Sequence, residues 1–383
     1  MKESSIWHRL YHGETSFDFV GRKRLWFVLS GVVIVIGIAS LVVQGLNLGI
    51  DFKGGTAWEV KAPNLSVSAA RDAVRPLGLA EAKIQTLGNG TVRVEAKHQT
   101  PARQDEISAA LAKAGHTGTG QVSVNDVGPS WGKAVTSKAE KALIAFFIAI
   151  TIYITARFEW KMAVAAILAV IHDILVTVGV YSVSRFEVTP ATVVAFLTIL
   201  GYSLYDTIVV FDRVEENTKG LSASGRMTYA DTVNLSMNQV LMRSINTSLV
   251  AILPIASVLG IGAYLLGATA LKDFGLALLV GLITGAYSSI FVASPILAIL
   301  KEREPRYSAI RARLVSKGTA AGPLTPAAAA AMAGTGPRAA VRGDGEIDDG
   351  GPPLVPGRPR TVPVHRPRSG RPGPRPRKKG RRR

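Results

Sequence analysis

Cysteine is absent from all 383 residues, which excludes disulfides and thiolate metal sites and leaves the redox compartment without a signature. Charge is almost as scarce over long stretches. Residues 25–46 carry no ionisable side chain, and across residues 191–211 the one charged group is the carboxylate of Asp206. No nucleotide site is written in the chain: Gly54 and Gly55 in GIDFKGGT lack the strand-to-helix context and the lysine placement of a phosphate loop. Neither a metal-ligand cluster nor a Ser/His/Asp set in a credible setting is present, so no cofactor, no metal and no enzyme activity are expected.

What the chain does have is apolar length. Hydrophobic residues make up 48% of it, mean hydropathy is +0.25, and the apolar residues fall in runs long enough to cross a bilayer. A polytopic α-helical membrane protein is expected. The formal charge of +18 suggests a nucleic-acid partner until it is located: 12 Arg and Lys and no acidic residue lie in residues 350–383. The basic excess belongs mostly to a tail, and no nucleic-acid partner is expected.

Residues 1–24 read as a cytoplasmic segment ending in Arg22, Lys23 and Arg24, and residues 25–46 as the first transmembrane helix. Such a run resembles a secretory signal, but signal h-regions span only about 7–15 residues, so the helix is read as retained. Residues 47–138 change character. Strands are predicted at 56–61, 82–87, 91–97 and 121–127, a helix capped by Ser66 runs to about Pro76, another opens at Thr100-Pro101 and runs to Ala114, and Asn89-Gly90 signals a tight turn. The order βαββαβ is that of one external α+β ferredoxin-like domain.

Transmembrane helices 2–6 occupy residues 139–300, with spans at 139–156, 162–183, 191–211, 240 to 259 or 266, and 274–300. Six spans place both termini on one side. Arg157 and Lys161 in one short loop and Arg213, Lys219 and Arg226 in another assign that side to the cytoplasm, against Arg185 and Lys272 opposite. Residues 301–383 read as a disordered basic cytoplasmic tail, either simply solvated or in contact with anionic lipid.

A carboxylate at a helix centre costs about 2.5–3.5 kcal/mol on insertion scales, so Asp206 calls for a reason. It lies about 9 Å inside the inner boundary at Asp212. In span five, Ser236, Gln239, Arg243 and Thr247 share one helical face, and a helix starting near Asn234 puts Arg243 about 13 Å deep, where guanidinium and carboxylate can meet. In span three, His172 and Asp173, with Thr177 a turn further, form either a proton relay or a packing pair. Gly281, Gly285, Ser289 and Ala293 recur at steps of four in span six and are assigned to close helix packing, without chemistry. With no nucleotide or metal site, a proton gradient is the energy source that fits intramembrane carboxylates.

The motifs FDFVGRKRLWF from residue 17, GIDFKGGT from 49, VGPSWGK from 127, RFEWKMA from 157, HDILVTVG from 172, GYSLYDTIVVFDRVEEN from 201, NLSMNQVLMRSINTS from 234 and YSSIFVASP from 287 together resemble, in order, the SecF family. That family comprises protein-export membrane subunits of the bacterial Sec translocase, related to the resistance-nodulation-division exporters. The resemblance implies a subunit of the bacterial cytoplasmic (inner) membrane that pairs with SecD beside the SecYEG channel. There it uses the proton motive force to help complete export of preproteins that SecA has pushed in. It also implies proton transport at the positions of Asp206 and Arg243, at the interface with SecD. Two positions depart from the family pattern: Tyr205 stands where asparagine is usual, and Glu215 where a basic residue is common. The alternative reading is a proton-driven exporter of small molecules or lipids from the same superfamily, although six spans and one outer domain of about 90 residues suit a half-unit that needs a partner.

Overall fold

The computed structural model describes residues 15–87, 90–220, 225, 227–265 and 269–317. The start of the N-terminal segment, Asn89 of the expected turn, Arg226, and the tail beyond residue 317 lie outside the described residues.

Helix α1, Lys23–Gln44, carries no charge after its first two residues, Lys23 and Arg24, and it ends where Gly45 takes a φ of 64° and closes its N–H on the Leu41 carbonyl. The two-residue strand β1, Asn47–Leu48, and the single turn α2, Ile50–Lys53, follow. The next two residues must be glycine. Gly54 has a φ of 74°, and a Cβ on Gly55 would lie 2.6 Å from the Ala96 carbonyl oxygen.

Beyond this turn come β2 (Gly55–Lys61), α3 (Val67–Val74), β3 (Lys83–Leu87), β4 (Thr91–Ala96), α4 (Pro101–Ala114) and β5 (Val122–Val127). The strands form one sheet in the order β3-β4-β2-β5, every pair antiparallel, with Trp58 opposite Val94. Alternation along β2 and β4 sends Trp58, Val60, Val92 and Val94 to the face covered by Val74, Ile107 and Leu111, all fully buried. Full burial of such side chains contributes about 1.5–3 kcal/mol each. The Ser66 hydroxyl accepts the Ala69 N–H at 3.1 Å and so starts α3.

The remainder is helical: α5 (Pro129–Arg157), α6 (Trp160–Ser184), the short strand β6 (Glu187–Val188), α7 (Pro190–Gly220) and α8 (Tyr229–Ser257), which continues as a π-helical stretch, Val258–Leu265. Helix α9 (Thr269–Ser288) leads through a π-helical turn, Ser289–Ala293, into α10 (Ser294–Glu302), and α11 (Pro305–Ser316) completes the described chain. Among the described residues, six stretches are long and apolar enough to cross a membrane: Lys23–Gln44, Pro129–Arg157, Trp160–Ser184, Pro190–Lys219, Tyr229–Ala263 and Leu271–Glu302. The third, fourth and sixth are about half buried and form the centre of the bundle; the other three leave most of their apolar surface uncovered.

These helices overrun the apolar runs. Helix α5 starts at Pro129, ahead of the span expected from residue 139, because polar residues such as Lys133 and Lys138 extend the same helix beyond its apolar part. Helix α8 starts at Tyr229 rather than near Asn234: Thr228 and Asp231 form a reciprocal capping box, and the polar first turns are buried by neighbours. Helix α11 corrects the expectation of disorder from residue 301. Proline opens it, Tyr307 and Leu314 are buried, and the Tyr307 ring meets Tyr229 edge-on at 4.8 Å. Its mostly polar and basic composition concealed a helix anchored by two apolar side chains.

Three contacts position the bundle. Gly37 of α1 and Gly179 of α6 meet backbone to backbone, a Cβ on the first falling 2.7 Å from the Cα of the second. Strands β1 and β6 pair in parallel, Asn47 opposite Glu187. The segment before α1 lies along α8, where Asn234 accepts the N–H groups of Phe19 and Val20 at 3.0 and 2.9 Å and Asn238 exchanges two hydrogen bonds with the Phe17 backbone.

Candidate functional site

Asp206 sits on the α7 face that carries Ser203 three residues earlier, and both are buried. Two hydroxyls from other helices converge on its Oδ2: Ser244 of α8 donates at 2.6 Å and Ser289 of the π-helical turn donates at 2.6 Å. Charge-assisted hydrogen bonds of this length are the strong kind, and they hold a carboxylate where no water-exposed surface could solvate it.

Arg243 does not join this arrangement. The guanidinium lies on the exposed side of α8 and donates to the Tyr205 hydroxyl at 3.4 Å, and among the described residues it makes no ion pair. Neighbouring residues explain the split. Tyr205 meets Arg243 and Asp206 meets Ser244, so the two helices are aligned in height, but consecutive residues on a helix point to different sides. Arg243 and Tyr205, itself 52% exposed, look out of the bundle, while Asp206 looks in.

The rest of the polar face expected on span five serves packing. Asn217 donates to Ser236 at 2.9 Å and to Gln239 at 2.7 Å, Arg213 donates to Gln239 at 2.6 Å, and the Thr247 hydroxyl returns to the Arg243 carbonyl at 2.8 Å.

His172 and Asp173 are buried together on α6. His172 Nδ1 lies 3.1 Å from Asp173 Oδ1, and its Nε2 lies 3.1 Å from Ser30 Oγ of α1, which in turn is 3.2 Å from the Tyr287 hydroxyl of α9. Ser203 of α7 donates to Asp173 Oδ2 at 2.5 Å. The two buried carboxylates are thus both served by serines of α7, α8 and the α9 end. Sequence reasoning passed over Ser203, Ser244 and Ser289. Ser289 had been grouped with the packing stripe, and the glycines of that stripe do pack: a Cβ on Gly285 would lie 2.8 Å from Ser203 Cβ. No feature of the apolar pattern separates a serine that hydrogen-bonds a carboxylate from one that fills space.

A second polar cluster lies between the sheet and the β6 segment. Arg93 of β4 reaches Glu95 at 3.0 Å and Glu187 of β6 at 3.1 Å, Lys83 of β3 reaches Glu95 at 3.1 Å, and Gln85 donates to Glu187 at 3.3 Å. Burial pushes the Glu187 carboxyl up to about 7, with Arg93 pulling it down and Glu95 pushing it further up. Among the described residues no group of three or more His, Asp and Glu side chains is disposed to hold a metal ion.

Comparison with known proteins identifies the family. The pattern of the family described as Protein export membrane protein SecD/SecF, C-terminal, matches residues 107–303, and that of the SecD/SecF GG Motif matches residues 39–61. The chain is 43% identical over 317 residues to the Protein translocase subunit SecF of Streptomyces coelicolor, covering 82% of this chain and 85% of that one. It is 44% identical over 310 residues to the subunit of the same description from Mycobacterium tuberculosis, covering 78% and 70%. Among solved structures it resembles SecDF, a translocon-associated membrane protein from Thermus thermophilus, with a TM-score of 0.68 and 34% identity over 76% of this chain. This chain spans 39% of that longer one.

Proposed function

Because the chain belongs to the SecF family of protein translocase subunits, a family of multi-pass inner-membrane proteins, we propose that it works with SecD to draw on the proton motive force and promote preprotein export across the cytoplasmic membrane. The observation that carries this reading is the pairing of a buried carboxylate with an outward-facing cation at the same height: Asp206 held by Ser244 and Ser289, Arg243 beside it without an ion-pair partner among the described residues. Asp206 takes up and releases the proton. Arg243 faces SecD, where an anionic group at matching depth completes the pair.

A desolvated guanidinium is stable only with such a partner. The uncovered apolar face of the later part of α8, with Leu249, Val250 and Leu253 exposed, lies on the same helix as Arg243 and suits burial against a second bundle. Neutralising Asp206 changes what its two serines and the neighbouring helices prefer, and that change of preference biases a two-state bundle.

In this reading both termini are cytoplasmic and residues 47–138 form an external ferredoxin-like domain. Helix movements reach it through β1, β6 and the glycine turn at 54 and 55. SecYEG and SecA supply the channel and the initial push.

The cysteine-free background gives a direct test. A chain carrying Arg243→Cys is expected to crosslink to SecD at an acidic position changed to cysteine, and Arg243→Met is expected to remove proton-driven export without loss of the complex. An Arg243→Met chain exporting a reporter preprotein at the wild-type rate would sink the assignment.

A further inference from the structure

The two buried carboxylates are joined by an uncommon helix geometry. In a regular helix, adjacent side chains point about 100° apart and do not share a site. Ser288 and Ser289 are adjacent and both fully buried, yet each addresses a different carboxylate. Ser289 donates to Asp206 Oδ2 at 2.6 Å, whereas the Ser288 hydroxyl, which also reaches the Gly285 carbonyl at 3.3 Å, interacts with Asp173. The helix turns π-helical at this point, over Ser289–Ala293, and the Ser294 hydroxyl takes up the Ser289 carbonyl at 3.1 Å. Single π-helical turns inside α-helices are frequent at functional sites.

Helix α7 supplies the parallel link. Ser203 donates to Asp173 at 2.5 Å and lies one turn before Asp206, about 4.5 Å along the axis. Every member of the set is buried: Asp173 at 1% exposure, Ser203 at 2%, Ser244 at 3% and Asp206 at 6%, with Ser288 and Ser289 at 0%.

Resting on the assignment of proton uptake to Asp206, we propose that Asp173 is a second proton-carrying carboxylate in series with it, and that Ser203, Ser288 and Ser289 pass the proton between the two. In each hop one O–H bond breaks and one forms. The protonated Asp206 gives its proton to a serine oxygen, that hydroxyl gives its own proton onward, directly or to one intervening water, and the Asp173 carboxylate takes the last. Asp206 ends ionised, Asp173 ends neutral, and the serines are unchanged. His172, bonded to Asp173 on one side and to Ser30 on the other, fixes the orientation of the receiving carboxylate and continues the path toward α1 and Tyr287.

The test uses the full chain reconstituted with its SecD partner in vesicles, with proton flux driven by an imposed pH gradient and the carboxyl stretch of Asp206 followed by infrared titration. Asp173→Asn and the pair Ser288→Ala with Ser289→Ala are expected to lower flux by about a hundredfold, the scale of losing one positioned proton-transfer group. Ser289→Thr, which keeps the hydroxyl, is expected to restore most of it. Asp173→Asn is also expected to move the Asp206 titration midpoint, which a group of purely structural role would leave in place.

If Asp206→Asn abolishes flux while Asp173→Asn and the double serine variant run within twofold of wild type, the series arrangement is wrong and the parent reading stands. If Asp206→Asn leaves flux unchanged, the parent reading fails and this inference with it. Should Asp173→Asn fail to accumulate in the membrane, the contrast of Ser289→Ala with Ser289→Thr decides: equal flux in the two overturns the proposal.

Discussion

Arg243 and Asp206 stand at the same height on adjacent helices and do not meet: the guanidinium donates outward to the Tyr205 hydroxyl at 3.4 Å, while the carboxylate accepts the hydroxyl of Ser244 from within at 2.6 Å. One residue of offset on each helix separates a buried acid from an exposed base. In the proposed function the chain presents half of a charge pair to the partner that covers α8, and keeps the other half under the control of its own serines. A single-chain ion pair would have locked the two; this arrangement leaves each free to respond to a partner.

Tyr205 stands where the resemblance to the SecF family implies an asparagine, and its place in the structure bounds its effect. Its ring is 52% exposed and its contact with Arg243 is long. Tyr205→Asn is expected to change proton-driven export by less than about threefold, in line with the sub-kilocalorie contribution of exposed polar contacts. A loss comparable to that of Arg243→Met in the same export assay would show that the phenol belongs to the proton path.

Gly285 makes room for Ser203, the Cβ it lacks being the one that would sit 2.8 Å from Ser203 Cβ. Gly285→Ala is expected to lower stability by about 1–3 kcal/mol through overpacking. Thermal unfolding of the purified chain in detergent measures it. Ser203→Gly, which also loses the hydrogen bond to Asp173, is expected to cost less in the Gly285→Ala chain than on its own, whereas Ser203→Ala should cost the same in both, because the clash is with Cβ rather than with the hydroxyl.

Legibility in the sequence followed what each feature depends on. The strands at 55–61 and 91–96 and the helices opened by Ser66 and Pro101 rest on local alternation and caps, and these were readable within a residue or two. The six apolar helices were readable from run length, although capping and polar overhang set their true ends. Asp206 stood out because it interrupts an apolar run. Its actual partners did not, since Ser244 lies one residue away from the polar face that the spacing of Ser236, Gln239, Arg243 and Thr247 defined, and Ser289 is turned inward by a π-helical turn that hydropathy does not encode. The Tyr205–Arg243 and Asp206–Ser244 contacts align the two helices in height, but facing depends on helix rotation, which spacing on two separate helices leaves open.

Glu187 predicts a pH dependence of the contact between the sheet and the membrane helices. Around it stand Arg93, Glu95 and Lys83 from the sheet and Asp273 from α9; burial and Glu95 outweigh Arg93 and hold the carboxyl near 7, above its ordinary 4.5. A raised carboxylate favours its protonated form in the closed contact, so the contact is strongest below the ordinary value and weakens as pH rises through about 7. Protection of the amides in β3 and β4, taken relative to the base-catalysed intrinsic exchange rate, is expected to fall between pH 5 and about pH 8, and Glu187→Gln should flatten that dependence. An unchanged slope in the variant would assign the effect elsewhere.

Thr228 starts α8 by accepting the Asp231 N–H at 3.1 Å while Asp231 accepts the Thr228 N–H at 3.2 Å. Thr228→Ala is expected to destabilise the chain by about 1 kcal/mol, and Thr228→Ser to be nearly neutral. Denaturation midpoints of the two variants check this, and equal midpoints would mean that tertiary burial alone holds the start of α8.

The most direct test of proton uptake at Asp206 is preprotein export into inverted membrane vesicles, driven by an imposed proton gradient with ATP-dependent translocation held constant, in wild-type chain and Asp206→Asn. The account predicts that Asp206→Asn assembles normally, since an amide can still accept both serine hydroxyls, and that the gradient-dependent part of export disappears while the ATP-dependent part remains. Gradient-dependent export at the wild-type rate in Asp206→Asn would contradict it.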